Sequence, residues 1–177
     1  QDIRFDAEVV DNRLEDSPIT ESCRNFCNKI WNASRFVLMN LSDRDPADAE
    51  LLSAPEQPVD LADCWILSLY NRTVGTVTRA LEAYRFDEAS RALYEFLWNT
   101  YCDWYVEMAK VRLNGDDPQA RREAQRVLVY VLEGTLRLLH PMAPFLSEAL
   151  WQGMPHSGDA LIVARWPEQE EARLDSC

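Results

Sequence analysis

The sequence predicts an all-α protein, an antiparallel helix bundle of about five helices with short extended ends. Only five glycines occur in 177 residues, and long stretches contain neither glycine nor proline, a composition that favours helices. Hydrophobic residues make up 47% of the chain and include six tryptophans, six tyrosines and six phenylalanines, which is enough for a packed interior. The longer helical segments would each be about 30–40 Å long at 1.5 Å per residue. Long helices joined by short loops form an antiparallel bundle.

The predicted helices are bounded by start and stop signals in the sequence. Ser17 followed by Pro18 is a typical helix opening, with serine as the cap and proline at the first helical position. Asp87 is placed to cap the third helix, and the fourth helix ends at His140 because the residue before a proline disfavours the helical conformation. The predicted helices run from Pro18 to about Leu41, from Asp60 to about Tyr84, from Asp87 to about Leu113, from about Pro118 to Leu139 and from about Ala143 to Gln152.

Three parts are predicted along the chain. Residues 1–16 are acidic and lack strong periodicity, so we interpret them as a short extended lead-in. Residues 17–153 form the helical bundle. Residues 154–177 are interpreted as a C-terminal strap or linker, in which Ala160–Trp166 would lie extended along the bundle. The chain starts at Gln1 rather than at methionine, which indicates the interior of a longer protein.

Composition also bounds the class of function. The net charge of −12 taken alone argues against nucleic acid, because phosphates favour basic surfaces. An odd number of cysteines without a signal peptide predicts a reduced, cytoplasmic protein, and Cys23 and Cys27 are interpreted as helix-packing residues. No apolar run is long enough for a membrane span. Neither His140 nor His156 has a sequence partner that makes a nucleophile site, and no phosphate loop or metal-ligand spacing occurs, so no catalytic residue, metal or cofactor is expected in this chain.

The first helix is predicted to carry a local positive surface. Residues 24–40 hold three positive charges and no acid, so the rest of the chain carries −15. At 100° per residue the window separates into an apolar side, which includes Ile30, Trp31 and Val37, and a polar side. The polar side collects Arg24, Asn25, Asn28, Lys29, Asn32, Arg35, Phe36, Met39 and Asn40.

This polar side suits single-stranded RNA. Cations meet phosphates, asparagine can read a base edge, and the ring of Phe36 can stack on an unpaired base. The alternative is a solvated polar face on which Phe36 packs against a neighbouring helix. Four asparagines on one face are more than a solvated surface needs, because asparagine is a poor helix former. Trp31, on the apolar side, is predicted to be a core residue.

The second and third helices give weaker signals. Arg72 is a candidate phosphate contact, because it shares one face of the second helix with Trp65, Ser68, Thr76 and Arg79 and no acid occurs between Cys64 and Leu81. The alternative for each arginine is a stripe at the bundle surface. The aromatic run of the third helix, which includes Trp104, is interpreted as structural because aromatic residues at helical spacing are mostly core and the interleaved acids would repel phosphate.

Several segments resemble, in the same order, the anticodon-binding domain of valyl-tRNA synthetases, a family of class I aminoacyl-tRNA synthetases. Arg24–Phe36, which reads RNFCNKIWNASRF, resembles the first helix of that domain. The resemblance extends over nearly the whole chain. It continues through WILS and NRT at Trp65–Ser68 and Asn71–Thr73, YRFDEA at Tyr84–Ala89, FLWN at Phe96–Asn99, CDWY at Cys102–Tyr105, and LLHPMAPF at Leu138–Phe145.

The resemblance implies a function and a set of site residues. It implies a helical bundle that receives the anticodon stem-loop of tRNA(Val), joined to the catalytic core of the same polypeptide. The parent enzyme would attach valine to tRNA in the cytoplasm using ATP and Mg²⁺. Phe36 would stack on an anticodon base, and Arg35 and Lys29 would contact bases or phosphates nearby. The nucleic-acid-binding residues expected are Arg24, Asn28, Lys29, Asn32, Arg35, Phe36 and Arg72; no membrane or DNA partner is expected.

Two alternatives stay open at this point. Isoleucyl- and leucyl-tRNA synthetases share the bundle and parts of the Arg35-Phe36 pattern, whereas the Asn28-Lys29 and Trp31-Asn32 contexts fit the valine enzyme better. The other alternative is a helical protein-interaction module with no RNA role. The net charge of −12 favours that module, and the absence of acidic residues from 24 to 40 counts against it.

Overall fold

The structure, a computed structural model, describes residues 9–10, 13–14, 18–45, 48–55 and 60–170. Strands β1 (Val9–Val10) and β2 (Arg13–Leu14) pair antiparallel. Short 3-10 helices cover Ala49–Leu52 and Leu161–Val163. The other helical elements are α1 (Pro18–Met39), α2 (Leu61–Glu82), α3 (Phe86–Tyr94), a π-helical segment (Glu95–Tyr105), α4 (Val106–Leu113), α5 (Pro118–Leu139) and α6 (Pro144–Gln152).

The predicted all-α bundle is confirmed. The backbone stays helical at Glu95 and Val106, where the π-helical segment meets its neighbours, so α3, the π-helical segment and α4 form one continuous third helix. Each predicted helix end lies within two residues of an observed one. No helix in the described part of the chain is long and apolar enough to cross a bilayer.

Side-chain caps account for two of the helix starts. Asp60 accepts a hydrogen bond from the Ala62 N–H at 2.8 Å and so caps α2, and Asp117 caps α5 in the same way. The predicted cap at Ser17 lies outside the described residues. The predicted cap at Asp87 is wrong, because Arg85 occupies the cap position of α3 and makes no side-chain capping bond. Asp87 lies one position inside the first turn, where its charge complements the positive end of the helix dipole.

The corner between α2 and α3 is made by a tyrosine in a left-handed conformation. Tyr84 has φ of 58°, and its N–H donates to the Leu81 carbonyl at 3.0 Å while the Arg85 N–H donates to the Ala80 carbonyl at 2.8 Å. These two bonds are the Schellman pattern that ends many helices, and the left-handed position in that pattern normally holds glycine. The exposed Tyr84 ring gains only an edge contact with Phe86.

We therefore expect Tyr84→Gly to stabilise the protein. A left-handed non-glycine residue costs about 1–3 kcal/mol, and part of that relief is offset by the greater freedom of glycine in the unfolded chain. The expected gain in unfolding free energy is about 0.5–1 kcal/mol, measured by urea denaturation. Tyr84→Ala is the matched control, because it also removes the ring but keeps the strained backbone. Equal stability of the two variants would contradict this account of the corner.

Helix α5 lies at the centre of the bundle. Its segment from Val127 to Leu139 is apolar nearly all round and almost entirely buried, as predicted for a central helix. The carboxylate of Glu133 is the main polar group there, and it is buried with two partners. It accepts hydrogen bonds from the indole N–H of the fully buried Trp151 and from Arg137 Nε, each at 2.8 Å. The charge is thus balanced where it would otherwise be costly.

A second buried ion pair ties α2 to the third helix. Asp63 is 1% exposed, and Arg112 donates to both of its carboxylate oxygens, at 2.5 and 2.6 Å. The buried hydroxyl of Tyr105 donates to the same carboxylate at 2.6 Å. Burial acts to lower the pKa of Arg112, and the bonds and charge of Asp63 outweigh it, so that pKa is raised. The Asp63–Arg112 ion pair is therefore bidentate, with a defined geometry.

At Gly134, helix α5 lies in close contact with Tyr70 of α2. A Cβ atom placed on this residue would lie 1.9 Å from Tyr70 Oη and 2.7 Å from Tyr70 Cζ. The Tyr70 ring is itself 5% exposed and packs against Phe96 and Tyr130, so it has little room to retreat. Glycine at 134 is required by this contact rather than by backbone conformation.

Residues 160–170 lie against the bundle, but the stretch Ala160–Trp166 is not extended throughout as predicted. A 3-10 turn at Leu161–Val163 precedes an extended run. Trp166 donates its indole N–H to Thr78 Oγ1 at 2.9 Å. Asn71 of α2 donates to the Glu170 carbonyl at 2.6 Å and accepts from the Glu170 N–H at 2.8 Å. The side-chain amide thus binds both backbone groups of Glu170, as a neighbouring strand would.

Candidate nucleic-acid interface

The buried stripe of α1 differs from the predicted one. It passes through Ile30, Ala33, Ser34 and Val37, all 9% exposed or less. The prediction that Trp31 is a core residue is wrong, since its side chain is 44% exposed. The small side chains of Ala33 and Ser34 lie in this buried stripe, whereas the bulky indole of Trp31 lies outside it.

The surface that α1 presents to solvent is therefore a mixed cationic, amide and aromatic one. Residues seven apart, such as Arg24 and Trp31, and four apart, such as Trp31 and Arg35, share a side of a helix. We call this surface the outer face of α1. Its exposed members are Arg24, Asn25, Asn28, Trp31, Asn32, Arg35 and Met39.

The two arginines of the outer face differ in their surroundings. Arg24 lies 3.9 Å from Glu21, with both side chains more than half exposed. Arg35 is exposed and makes no hydrogen bond or ion pair with any residue that the structure describes. Such a guanidinium can meet a phosphate, or the edge of a base, without first breaking a protein contact.

Lys29 is brought to the third helix instead of to the outer face. Its Nζ lies 2.5 Å from Asp103 Oδ1 and 3.9 Å from the centroid of the Trp98 ring, and its side chain is 24% exposed. Its expected place beside Arg35 on a solvent-facing surface is therefore wrong. A phosphate that approached Lys29 would compete with the Asp103 carboxylate.

Phe36 also has a structural reason for its position, contrary to the sequence prediction. Its ring is half-buried and packs against the hydrophobic core, and Lys110 Nζ lies 5.4 Å from the ring centroid. The alternative that Phe36 packs against a neighbouring helix is thus realised in the structure. A stacking role for the ring that remains accessible stays a prediction.

A groove runs between α2 and the third helix, next to these residues. It encloses about 870 Å³ and is mainly apolar. We call it the aromatic groove, and its wall includes Leu61, Trp65, Ser68 and Arg72 of α2 and Trp104 and Met108 of the third helix. Arg72 is exposed, so the candidate phosphate contact of the sequence analysis lies at this groove and not on α1.

The structural interpretation of the third-helix aromatics is right for some positions and wrong for others. Tyr101 and Tyr105 are fully buried, and Tyr101 donates its hydroxyl to the Leu128 carbonyl at 2.9 Å. Trp104 is 65% exposed, so its predicted place in the core is wrong. Two of the interleaved acids are charge-balanced, because Asp103 pairs with Lys29 and Glu107 with Lys110, each at 2.5 Å.

The cysteines also divide by environment. Cys23 is exposed and Cys27 half-buried, so the packing role predicted for Cys23 is wrong. Burial raises the pKa of the Cys102 thiol to about 12, which keeps it protonated and unreactive at neutral pH. Among the described residues, no group of His, Cys, Asp and Glu is placed to hold a metal ion.

One contact between a histidine and a serine was not predicted from the sequence. His140 Nδ1 lies 2.9 Å from Ser147 Oγ, an arrangement found at nucleophilic sites. Here the Ser147 hydroxyl is fully buried and donates to the Ala143 carbonyl at 2.9 Å. The pair secures the start of α6 and is out of reach of a substrate.

The exposed tryptophans are the candidate residues that the sequence analysis missed. For Trp31 a signal existed, since it lies seven residues after Arg24 and four before Arg35, on their side of the helix. For Trp104 the signal was weaker. Its flank is acidic in sequence, and the lysines that balance Asp103 and Glu107 come from α1 and from one turn further along the helix.

Comparison with known proteins agrees with this architecture. Residues 63–176 match the family described as the anticodon-binding domain of tRNA ligase. The chain belongs to this family of anticodon-binding domains. A solved leucyl-tRNA synthetase from Agrobacterium radiobacter K84, in a ternary complex with tRNA and LeuAMS, matches with a TM-score of 0.65 at 18% identity, over 88% of this chain and 17% of that one. It supports the bundle fold.

Curated relatives show which tRNA ligases the chain is similar to. The chain is similar to the valine–tRNA ligase of Bacillus cereus, with 46% identity over 176 residues. It is 49% identical over 175 residues to that of Latilactobacillus sakei. Each match covers 99% of this chain and 18% of the relative. The Lactobacillus johnsonii enzyme is 52% identical over 145 residues, which are 81% of this chain and 16% of that protein. The chain thus spans under a fifth of these relatives.

Proposed function

We propose that this chain is the anticodon-recognition module of a valine–tRNA ligase and that it receives the anticodon stem-loop of tRNA(Val) on and beside the outer face of α1. The observation that carries the proposal is that face itself, where the exposed Trp31 lies between Arg24 and Arg35. Asparagines at 28 and 32 offer donors and acceptors for base edges. The similarity to valine–tRNA ligases over 99% of the chain supports the choice of amino acid.

The acidic total does not oppose this proposal. Residues 24–40 carry no acid, and Asp103 and Glu107 of the third helix are each paired with a lysine. The remaining negative charge would limit non-specific RNA binding, since that binding depends on summed attraction to phosphates. A protein-interaction module without an RNA role is disfavoured by membership of the anticodon-binding family.

The chemistry of the parent enzyme would lie outside this chain. We propose that the ligation of valine to tRNA, with ATP and Mg²⁺, takes place in a catalytic core of the same polypeptide, in the cytoplasm. The similarity to much longer valine–tRNA ligases supports this arrangement. The described residues here would bind and orient the anticodon.

The test is a titration of the 177-residue chain with minimal anticodon stem-loops. Valine anticodons end in A and then C. We expect the valine stem-loop to bind more tightly than versions whose last base is changed to U, as in isoleucine anticodons, or to G, as in leucine anticodons. Preference for either of these would assign the chain to the corresponding ligase, and equal or absent binding of all three would overturn the proposal.

The same titration predicts a shallow salt dependence. Each phosphate contact on a single strand contributes about −0.7 to the slope of log affinity against log salt, or about −0.9 on a duplex. Of the described cations considered for this surface, Arg24, Arg35 and Arg72 are exposed, whereas Lys29 is half-buried beside Asp103. The expected total slope is roughly −2 to −3. A slope steeper than roughly −6 would place the binding surface elsewhere.

A further inference from the structure

Resting on the proposed function, we propose that the aromatic groove between α2 and the third helix is a second RNA subsite, which captures one unpaired nucleotide of the bound stem-loop by stacking its base on Trp104. The groove encloses about 870 Å³, within the roughly 300–1,000 Å³ typical of small-ligand sites. It therefore has room for a nucleotide that is flipped out of a loop.

The exposure of Trp104 has no explanation in the packing of the bundle. The neighbouring rings of Tyr101 and Tyr105 are fully buried, whereas Trp104 is 65% exposed at the rim of the groove. Trp65 is half-buried in the facing wall. Trp104 belongs to the π-helical segment, and π-helical irregularities are frequent at functional sites. An exposed indole beside a second indole offers a base the flat apolar surface on which bases stack.

The charge around the groove favours a nucleotide over an apolar peptide alone. Among the described residues no carboxylate lines the groove, and its wall includes the Arg72 side chain and the Ser68 hydroxyl. The α2 sequence from Cys64 to Leu81 contains no acid. Asp103, next to Trp104, is bound by Lys29. A phosphate on a nucleotide in the groove would thus lie near the exposed Arg72 side chain.

The location of the groove agrees with a second subsite for the same RNA. The third helix contacts both α1 and α2, and it carries Asp103, which holds Lys29 of α1, directly before Trp104. The groove and the α1 residues therefore border the same helix. An unpaired nucleotide of a loop bound at α1 would cross this helix to reach the groove.

The experiment compares the wild-type 177-residue chain with Trp104→Ala, Trp104→Phe and Arg72→Gln in titrations with the valine anticodon stem-loop. We expect Trp104→Ala to weaken binding about five- to tenfold, towards the lower end of what one stacked base contributes, and Trp104→Phe to retain most of the affinity. Arg72→Gln should reduce the salt slope by about 0.7. Val111→Ala, which alters another exposed residue of the same helix, is the matched control and should bind as wild type.

Abasic substitution of the loop nucleotides, one at a time, then identifies the captured base. At one position, removing the base should weaken binding to the wild-type chain. Removing the same base should not weaken binding to Trp104→Ala any further, because both changes remove the same contact. If the wild type binds the stem-loop and Trp104→Ala binds it equally well, the subsite is overturned while the proposed function stands. If the wild type binds no stem-loop, both fall.

Discussion

Replacing Arg112 with methionine is expected to lower the free energy of unfolding by about 3–5 kcal/mol, the range found when one partner of a buried ion pair is removed. The Asp63 carboxylate would keep the Tyr105 hydroxyl as a donor but lose both guanidinium bonds. Because Asp63 is buried, its charge would have no access to water. Urea denaturation followed by circular dichroism measures the loss.

Two companion variants make this result interpretable. Arg91→Met removes the same side chain from an exposed pair with Asp87, 4.0 Å away, and should change stability by no more than about 0.5 kcal/mol. The double variant Asp63→Leu with Arg112→Met removes both charges and should recover much of the loss. If Arg112→Met is no less stable than Arg91→Met, the Asp63 carboxylate is satisfied by something other than Arg112.

Truncating Trp31 is expected to have the largest effect on RNA binding. Stacking of one base contributes about 1–3 kcal/mol, and 1.4 kcal/mol corresponds to tenfold in affinity. Trp31→Ala should therefore weaken binding of the valine anticodon stem-loop by about tenfold or more. Since the side chain is 44% exposed, its loss should cost less stability than the roughly 3–5 kcal/mol of a fully buried tryptophan.

Phe36→Ala is the decisive comparison, because the sequence predicts Phe36 and not Trp31 as the stacking residue. Its half-buried ring packs on the core, so we expect its removal to reduce the unfolding free energy more than Trp31→Ala does, and to reduce affinity less. Both affinities are measured at a temperature where both variants are folded. Loss of binding in Phe36→Ala with unchanged stability, together with normal binding in Trp31→Ala, would return the stacking role to Phe36.

The helices could be predicted because their signals are local. Proline at 118 and aspartate at 117 mark the start of α5, and the His140-Pro141 step marks its end. Each of these acts through the backbone of its own turn. The cap at Asp87 was predicted wrongly because the corner depends on Tyr84 adopting an unusual φ, and the Schellman pattern there places the cap two residues earlier, at Arg85.

The site was predicted less well because it depends on which neighbours cover each flank of a helix. Periodicity correctly separated an apolar half of α1 from a polar half. It could not show that the bundle covers only the stripe through Ala33 and Ser34, nor that Asp103 reaches Lys29 across 74 residues of sequence. Trp31 and Phe36, which lie near the borders of the two halves, were consequently assigned to the wrong sides.

The contact between Tyr70 and Gly134 constrains the order in which this domain can change over evolutionary time. With the Tyr70 hydroxyl 1.9 Å from where a Cβ at 134 would lie, a lineage that acquires alanine at 134 first must pass through a poorly packed intermediate. A lineage that first acquires a smaller residue at 70 leaves a cavity that the later alanine can partly fill. Substitution at position 70 before position 134 is thus the easier order. Among descendants, alanine at 134 should occur together with a smaller residue at 70.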